Sequence, residues 1–147
     1  MNKTVIFDLD GTLIDSLGDI HAALNDVLQL RNAPPLMLAT VRDLIGKGSA
    51  NLVRRALTAR NLPIDEASCT SALADFLRLY SADSAKLTTI FDGAIDALDR
   101  LQGDGFCLGI CTNKPLAPTK TVLDQFGLTR FFDTIVGGDQ LASRKPD

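Results

Sequence analysis

Positive charge is not in excess in this 147-residue chain, which has 15 Lys and Arg against 18 Asp and Glu and a net charge of −3. Proteins that bind a nucleic-acid backbone or an anionic membrane need surplus positive charge, so neither partner is expected. Long apolar runs are also lacking. The N-terminal run Val5-Ile6-Phe7 ends at Asp8 and is much shorter than a signal-peptide core or a membrane span. These absences predict a protein that is neither exported nor embedded in a membrane.

Cysteine, histidine and glutamate are scarce. The three cysteines, Cys69, Cys107 and Cys111, have no paired spacing, which is typical of reduced thiols and predicts a cytoplasmic protein. His21 is the one histidine, and it has no neighbouring Cys or His with which to hold a metal. Only Glu66 among the 18 acidic residues is glutamate. This preference for aspartate suits turns, helix caps and metal or phosphate chemistry.

Apolar runs predict three buried strands. The runs at 4–7, 106–111 and 131–136 are short, and each is followed by polar residues. Helical periodicity lies before the second run, at 92–103, and before the third, at 115–127. Because strands alternate with helices, the sequence predicts an α/β fold with a parallel, doubly wound sheet.

A helical block interrupts this alternation after the first strand. Residues 15–85 show only helical patterns, whose apolar positions recur at steps of three and four residues. We expect an incomplete α/β core formed by residues 1–14 and 86–147, with residues 15–85 inserted as an all-helical cap. Helices within the cap are expected at about 15–30, after Gly48 up to Pro63, and at about 65–83.

Two aspartates, Asp8 and Asp10, directly follow the first predicted strand. Parallel α/β sheets bind their ligands outside the carboxyl ends of the strands. Carboxylates this close repel one another unless a cation joins them, and their hard oxygen atoms favour Mg²⁺ or Ca²⁺. An EF-hand calcium loop is excluded, because Leu13 and Asp19 occupy the positions at which that loop requires Gly and Glu.

The same two carboxylates suit phosphoryl transfer. One can attack phosphorus to form an aspartyl phosphate, while the other donates and accepts protons. Gly11 would let the backbone turn sharply beside a bound anion, and Thr12 would add a hydroxyl and an amide N–H. The alternative is that Asp10-Gly11 is only the bend of an acidic turn, since Asp-Gly turns are common.

The segment Asp8-Leu9-Asp10-Gly11-Thr12-Leu13-Ile14-Asp15-Ser16 resembles the first motif of the haloacid dehalogenase superfamily. The resemblance implies a Rossmann-like core and makes Asp8 the nucleophile and a metal ligand. It makes Asp10 the general acid and base, which also offers its backbone carbonyl to Mg²⁺. Dehalogenases and phosphonate hydrolases of the superfamily carry another residue at the second position, so Asp10 implies a phosphatase or a phosphomutase.

Two later residues resemble further motifs of the superfamily. Thr112 ends the second core strand, where the superfamily has a Thr or Ser whose hydroxyl, with the amide of the next residue, here Asn113, holds the phosphoryl oxygens. Lys145 resembles the lysine that neutralises the crowded carboxylates and phosphate. Taken alone, Thr112 would be a helix cap and Lys145 a solvated surface charge.

The fourth motif of the superfamily is not found in the sequence. In the superfamily this motif is an acidic pair on the next strand, and it supplies the remaining side-chain ligands of the metal. The strands that follow it usually lie beside the first strand, so residues 4–7 would form an uncovered apolar edge, which favours aggregation. We therefore expect these residues to belong to a longer protein or to an incomplete core.

Residues 45–57 resemble the cap segment of phosphoglycolate phosphatases, a group within the superfamily. Gly46 and Gly48 would let this loop approach a small substrate. Lys47 could face a carboxylate of the substrate, although it could equally be an ordinary surface lysine. β-Phosphoglucomutases, the neighbouring group, carry an Arg in the equivalent loop and a different ending of the first motif.

The resemblance implies a Mg²⁺-dependent phosphomonoesterase whose partner is a small phosphorylated metabolite, with 2-phosphoglycolate as the expected substrate. Other phosphatases of the superfamily and a β-phosphoglucomutase-like enzyme are alternatives. A hypothesis of another class is a noncatalytic binding module that retains the cap and an incomplete core. A receiver-like phospho-acceptor domain also uses clustered aspartates, but it does not explain the helical block. The sequence leaves the oligomeric state open.

Overall fold

The structure is a computed structural model that describes residues 3–83, 85–143 and 145. Between residues 15 and 89 the described chain forms helices alone, and after residue 90 helices and strands alternate. The elements in chain order are β1 (Thr4–Phe7), β2 (Ile14–Asp15), α1 (Leu17–Gln29), α2 (Leu38–Leu44), α3 (Ser49–Ala59), α4 (Glu66–Ala82), β3 (Thr89–Ile90), α5 (Ala94–Gly103), β4 (Cys107–Cys111), α6 (Leu116–Gln125), a 3-10 turn (Thr129–Phe131) and β5 (Thr134–Val136).

The chain divides into two compact units. Met1–Asp15 together with Thr89–Asp147 form the first, which we call the α/β unit, and Ser16–Thr88 form the second, the helical unit. The sequence interpretation divides the chain after residues 14 and 85, and the structure divides it after residues 15 and 88. The assignment of these units as core and cap remains a prediction.

A parallel three-stranded sheet is the centre of the α/β unit. Its strand order is β1-β4-β5, and Phe7 is paired with Ile110, which is paired in turn with Ile135. The carboxyl ends of all three strands therefore lie at the same edge of the sheet. Leu108, Gly109 and Ile110 are buried, as expected for a strand covered on both faces. The predicted α/β class with a parallel sheet is confirmed.

The third strand is shorter than its apolar run predicted. The sequence places a strand at 131–136, whereas β5 covers only Thr134–Val136 and the preceding residues form the 3-10 turn. Phe131 is fully buried in that turn. Phe131 is therefore apolar because it is buried, not because it belongs to a strand. A short apolar run in a sequence does not distinguish a buried turn from a buried strand.

Apolar side chains hold the helical unit together. Helix α1 packs against α2 and α4, and α3 also packs against α4. Asp65 begins α4 by accepting hydrogen bonds from the backbone N–H and the hydroxyl of Ser68, which lower the pKa of the Asp65 carboxyl. The buried core residues are Ile20, Ala23, Leu24, Val27, Leu28, Leu36, Val41, Leu44, Leu52, Val53, Ala56, Leu57, Ala72, Phe76 and Tyr80.

Two short features were not predicted from the sequence. Helix α2 has only 7 residues. Strands β2 and β3 pair antiparallel through two residues each, so they bring the ends of the helical insertion side by side within the α/β unit. Elements this short carry too little periodicity to be identified from a sequence pattern.

His21, which has no neighbouring metal-binding residues in the sequence, has a structural role. His21 lies in α1, where its Nε2 atom is 2.9 Å from the carbonyl oxygen of Leu36. Cys69, Cys107 and Cys111 are free thiols. Across the described ranges, no helix combines the length and the apolar content that crossing a membrane requires.

Candidate functional site

A tight turn follows β1 and presents the two aspartates. The carbonyl oxygen of Leu9 accepts hydrogen bonds from three successive backbone N–H groups, those of residues 12–14, at 3.0–3.3 Å. Gly11 has a φ of +81°, a backbone conformation that glycine adopts without strain. Leu9 and Leu13 are buried. These buried side chains anchor the turn, whereas Asp8 is exposed and Asp10 is partly buried.

Each aspartate carboxylate lies beside a lysine. The Oδ1 atom of Asp8 is 3.2 Å from Nζ of Lys145, and Oδ1 of Asp10 is 3.2 Å from Nζ of Lys114. The side chain of Asp8 is 46% exposed and that of Asp10 is 17% exposed. We call these four residues the lysine–carboxylate cluster. Its two positive charges offset the repulsion that two neighbouring carboxylates would otherwise feel.

Asp8 has a second fixed contact. Its Oδ1 atom accepts a hydrogen bond of 2.8 Å from the backbone N–H of Leu9, the residue whose carbonyl oxygen closes the turn. The backbone N–H of Leu9 and the ammonium group of Lys145 therefore both orient the carboxylate. Its exposed fraction leaves it accessible to a ligand from solution.

Thr112 follows β4 at the same edge of the sheet. It is buried, and its backbone N–H donates to the carbonyl oxygen of Val136 at 3.0 Å. Its hydroxyl oxygen accepts from the backbone N–H of Lys114 at 3.1 Å. A hydroxyl that accepts in this way still carries a hydrogen that it can donate to an anion.

The side chain of Asn113 makes two hydrogen bonds to the backbone of Lys145. The Asn113 Nδ2 atom donates to the Lys145 carbonyl oxygen at 3.1 Å, and the Lys145 N–H donates to Asn113 Oδ1 at 3.0 Å. This pair of bonds links the loop after β4 to the segment that carries Lys145. The side chain of Asn113 therefore acts on Lys145, whereas the sequence interpretation assigns an amide of Asn113 to phosphoryl oxygens.

Thr12 also differs in part from its expected use. Its backbone N–H donates to Leu9 within the turn at 3.1 Å, so that group closes the loop. The residue itself is exposed, which leaves its hydroxyl as the group that it presents to solvent. Of the two groups that the sequence assigned to anion binding, the hydroxyl is the accessible one.

The loop after β5 supports the loop after β4. The N–H of Gly138 donates to the carbonyl oxygen of Lys114 at 2.8 Å, and Oδ1 of Asp139 accepts from the N–H of Leu116 at 2.8 Å. Gly137 lies so close to this loop that a Cβ atom there would be 2.5 Å from the backbone nitrogen of Leu116. Two adjacent loops thus fix the backbone on which Lys114 is mounted.

Lys114 is the residue of the cluster that the sequence interpretation missed. In the sequence, Lys114 is one of the polar residues that follow the second predicted strand. The available signal was a lysine placed two residues after Thr112, at the edge of the sheet that carries Asp8 and Asp10. Lysine is mostly exposed in proteins, so its type alone does not reveal a buried position.

Lys47 belongs to the helical unit. It is exposed on the loop between α2 and α3, and Gly46 and Gly48 on either side have positive φ angles of 125° and 82°. The glycines therefore allow a backbone path that other residues rarely follow. A role for Lys47 in holding a substrate stays a prediction.

The described residues offer a partial set of metal ligands. Within residues 3–83, 85–143 and 145, no group of three or more His, Cys, Asp or Glu side chains is close enough to hold a metal ion. Asp8 has an exposed carboxylate, and the use of the Asp10 backbone carbonyl as a metal ligand stays a prediction. Hard oxygen atoms of this kind fit Mg²⁺, which usually keeps several waters and takes only one or two carboxylates from the protein.

Comparison with known proteins identifies the family. A sequence model of the family "Haloacid dehalogenase-like hydrolase" matches residues 5–147. The chain is 43% identical over 143 residues to a phosphoglycolate phosphatase of Cereibacter sphaeroides, covering 97% of this chain and 66% of that protein. It is 42% identical over 147 residues to phosphoglycolate phosphatase 1 of Pseudomonas aeruginosa, covering 99% of this chain and 54% of that protein.

A solved structure agrees with these matches. The crystal structure of a predicted phosphoglycolate phosphatase from Haemophilus somnus is similar to this chain with a TM-score of 0.88 and 28% identity, covering 99% of this chain and 66% of the other. The chain spans 66% of the length of the Cereibacter relative. Because the family model matches almost every residue, the chain belongs to the haloacid dehalogenase-like hydrolase family.

Proposed function

We propose that the protein is a Mg²⁺-dependent phosphatase that hydrolyses a small acidic phosphate ester, most readily 2-phosphoglycolate, through an aspartyl phosphate. The observation that carries the proposal is the lysine–carboxylate cluster, in which Asp8 and Asp10 leave the same strand end and each lies 3.2 Å from a lysine ammonium. Family membership and the names of the relatives support the same reaction. The free cysteines are consistent with a cytoplasmic location.

Asp8 is the proposed nucleophile. One of its carboxylate oxygens forms a bond to phosphorus while the bond between phosphorus and the ester oxygen breaks. The electron pair of the broken bond goes to the ester oxygen, which takes a proton from the carboxyl group of Asp10 and departs as an alcohol. The exposed carboxylate of Asp8 and the two hydrogen-bond donors that orient it support this assignment.

Asp10 then acts in the opposite direction. A water oxygen forms a bond to phosphorus, and the carboxylate of Asp10 takes a proton from that water. The bond between phosphorus and the Asp8 oxygen breaks, which releases inorganic phosphate and restores the carboxylate of Asp8. The partly buried position of Asp10, beside Asp8 and out of bulk water, supports its use as a proton carrier.

Positive charge and hydrogen-bond donors stabilise the transferring group in this proposal. Lys145 and the hydroxyl of Thr112 would hold the phosphoryl oxygens, with the hydroxyl of Thr12 and the backbone at Gly11 beside them. Donors fixed before the reaction are often worth several kcal/mol in the transition state. Mg²⁺ bound by the Asp8 carboxylate and the Asp10 carbonyl would neutralise the phosphate charge that otherwise repels the nucleophile.

The helical unit is proposed as the cap that selects the substrate. Its glycine-flanked Lys47 is the candidate partner for the carboxylate of 2-phosphoglycolate. The relatives from Cereibacter and Pseudomonas bear the name phosphoglycolate phosphatase, which supports this substrate over a hexose phosphate. A Lys47→Met variant tests the assignment through the KM for 2-phosphoglycolate, compared with the KM for p-nitrophenyl phosphate, which has no carboxylate.

Phosphate release from 2-phosphoglycolate, measured with Mg²⁺ and with EDTA, tests the proposed reaction. The Asp8→Asn variant is expected to lose about a thousandfold or more in kcat, and Asp10→Asn about a hundredfold to ten-thousandfold, because each removes a group that takes part in the chemistry. Asp104→Asn, a change of the same type at an exposed position in the α/β unit, is the matched control and should match the wild type.

Two results contradict the proposal. Substantial turnover by Asp8→Asn would exclude Asp8 as the nucleophile. A folded, monomeric wild-type protein that releases no phosphate with Mg²⁺ from 2-phosphoglycolate, p-nitrophenyl phosphate or other phosphomonoesters would instead favour a noncatalytic binding module.

A further inference from the structure

Lys114 is a buried lysine that the proposed reaction does not yet use. Its side chain is only 6% exposed, although its ammonium group lies at the edge of the sheet beside Asp10. Lysine is seldom buried unless it is paired, because removing a charge from water is costly. A stable fold alone would be served at least as well by an apolar side chain of similar volume. Its burial therefore calls for a role beyond packing.

The backbone of Lys114 is fixed on both sides. Its N–H donates to the hydroxyl oxygen of Thr112, and its carbonyl oxygen accepts from Gly138. The following residue, Pro115, has a restricted φ and precedes α6. With the backbone held and the side chain enclosed, the ammonium group has little freedom to leave the Asp10 carboxylate.

The position of the Asp10 carboxyl group matters to both steps of the proposed reaction. A proton carrier must reach the ester oxygen and later the water with its carboxyl oxygen, and misplacement by about 1 Å can cost about a hundredfold in rate. A charge-assisted hydrogen bond from a rigid donor is a strong way to fix a carboxylate.

We infer that Lys114 is a positioning residue for the reaction, and that its ammonium group holds the Asp10 carboxylate where, once it has taken up a proton from solvent, it can pass that proton to the leaving oxygen. This inference rests on the proposed function. The two lysines of the cluster then have different roles. Lys145 contacts Asp8 and would bind the phosphoryl group, whereas Lys114 positions Asp10, the proton carrier. Loss of Lys114 therefore lowers kcat/KM most for a substrate whose leaving group must be protonated.

Two phosphate esters separate this role from a structural one. The leaving group of 2-phosphoglycolate is an alkoxide that needs a proton, whereas that of p-nitrophenyl phosphate is a stabilised phenolate that leaves without one. The quantity to compare is kcat/KM, because it reports the steps up to release of the leaving group and excludes hydrolysis of the aspartyl phosphate. Damage to the fold lowers kcat/KM for both esters by the same factor.

The test uses Lys114→Met and Lys114→Gln, with Lys120→Gln as the matched control at an exposed position on α6. Each Lys114 variant is expected to lower kcat/KM for 2-phosphoglycolate at least about tenfold more than for p-nitrophenyl phosphate. The control should change neither value. If Lys114→Met does not fold, as judged by circular dichroism, Lys114→Gln decides, because its polar amide is better tolerated beside Asp10 but lacks the ammonium charge and the length that fix the carboxylate.

A second measurement asks whether Lys114 acts through Asp10. In an Asp10→Asn background, Lys114→Gln should lower kcat/KM for 2-phosphoglycolate by less than about threefold, because the group that it positions is already gone. Equal losses for the two esters, or an undiminished loss in the Asp10→Asn background, would overturn the inference. Both results require an active wild-type enzyme, so they are distinct from an inactive wild type or an active Asp8→Asn variant, which would overturn the proposed function itself.

Discussion

Among the described residues, each unit of the molecule buries one charged side chain, and the two are used differently. In the helical unit, Asp19 is 6% exposed and accepts hydrogen bonds from the N–H of Leu87 and the hydroxyl of Thr88. In the α/β unit, Lys114 is 9% exposed when backbone and side chain are counted together, and it faces the carboxylate of Asp10. Asp19 is bound to groups of the structural framework, whereas Lys114 is bound to a group that the proposed reaction protonates and deprotonates.

The comparison shows that burial alone does not distinguish a structural charge from a functional one. The partners do. The backbone N–H of Leu87 and the buried hydroxyl of Thr88 satisfy the Asp19 carboxylate and connect the end of the insertion to the first turn of α1. The partner of Lys114 is itself a reactive group at the carboxyl end of a strand, where parallel sheets bind their ligands. Removing each charge should therefore change different properties.

The largest change in stability is expected from Asp19→Ala. It leaves the Leu87 N–H and the Thr88 hydroxyl without their acceptor, and the free energy of unfolding should fall by about 3 kcal/mol. The ratio of kcat/KM for the two phosphate esters should stay at the wild-type value, because Asp10 and Lys114 are untouched. Urea denaturation and the two assays measure these quantities.

Asp26→Ala is the matched control on the same helix, at an exposed position of α1. Its free energy of unfolding should differ from that of the wild type by no more than about 0.5 kcal/mol. If Asp19→Ala were as stable as this control, or if it altered the ratio of the two esters, the division between structural and functional charges would fail.

A smaller effect is expected where the backbone under Lys114 is disturbed without changing any charge. Gly137→Ala would place a Cβ atom 2.5 Å from the Leu116 nitrogen, so the loop after β4 must shift. We expect a loss of about 1–3 kcal/mol in stability and a greater loss of kcat/KM for 2-phosphoglycolate than for p-nitrophenyl phosphate.

Gly103→Ala is the control for this change, because a Cβ atom at Gly103 meets no other atom within 4 Å. Gly103 is the last residue of α5, and the substitution should stabilise the protein by up to about 1 kcal/mol. Both variants replace glycine with alanine in the same unit. Equal effects on the ratio of the two esters would show that the loop after β5 does not support the position of Lys114.

The sequence was sufficient for the parts of the site that follow from strand ends and local motifs. Asp8 and Asp10 were placed at the carboxyl end of a predicted strand, and Thr112 at the end of the next one, because parallel strands end at the same edge. The structure adds the ion pairs of Asp8 with Lys145 and of Asp10 with Lys114. The roles of these residues stay proposals.

The position of Lys114 could not be read from the sequence for a physical reason. Its burial results from the packing of loops that are distant in the chain, since its carbonyl is held by Gly138 and its ammonium lies against Asp10. The length of β5 was overestimated for a related reason, because Phe131 is buried by tertiary packing in a 3-10 turn. A local sequence pattern shows which residues are apolar or charged. It does not show which of these residues are buried by tertiary contacts.

The central claim is that Asp8 carries the phosphoryl group, and trapping that group tests it most directly. The Asp10→Asn variant should release one equivalent of p-nitrophenol rapidly from p-nitrophenyl phosphate and then stall, because the phenolate needs no proton but hydrolysis of the aspartyl phosphate needs a base. Acid quenching, borohydride reduction and peptide mass spectrometry should locate the modification at Asp8. Modification of a different residue, or steady turnover with no modified Asp8, would contradict the account.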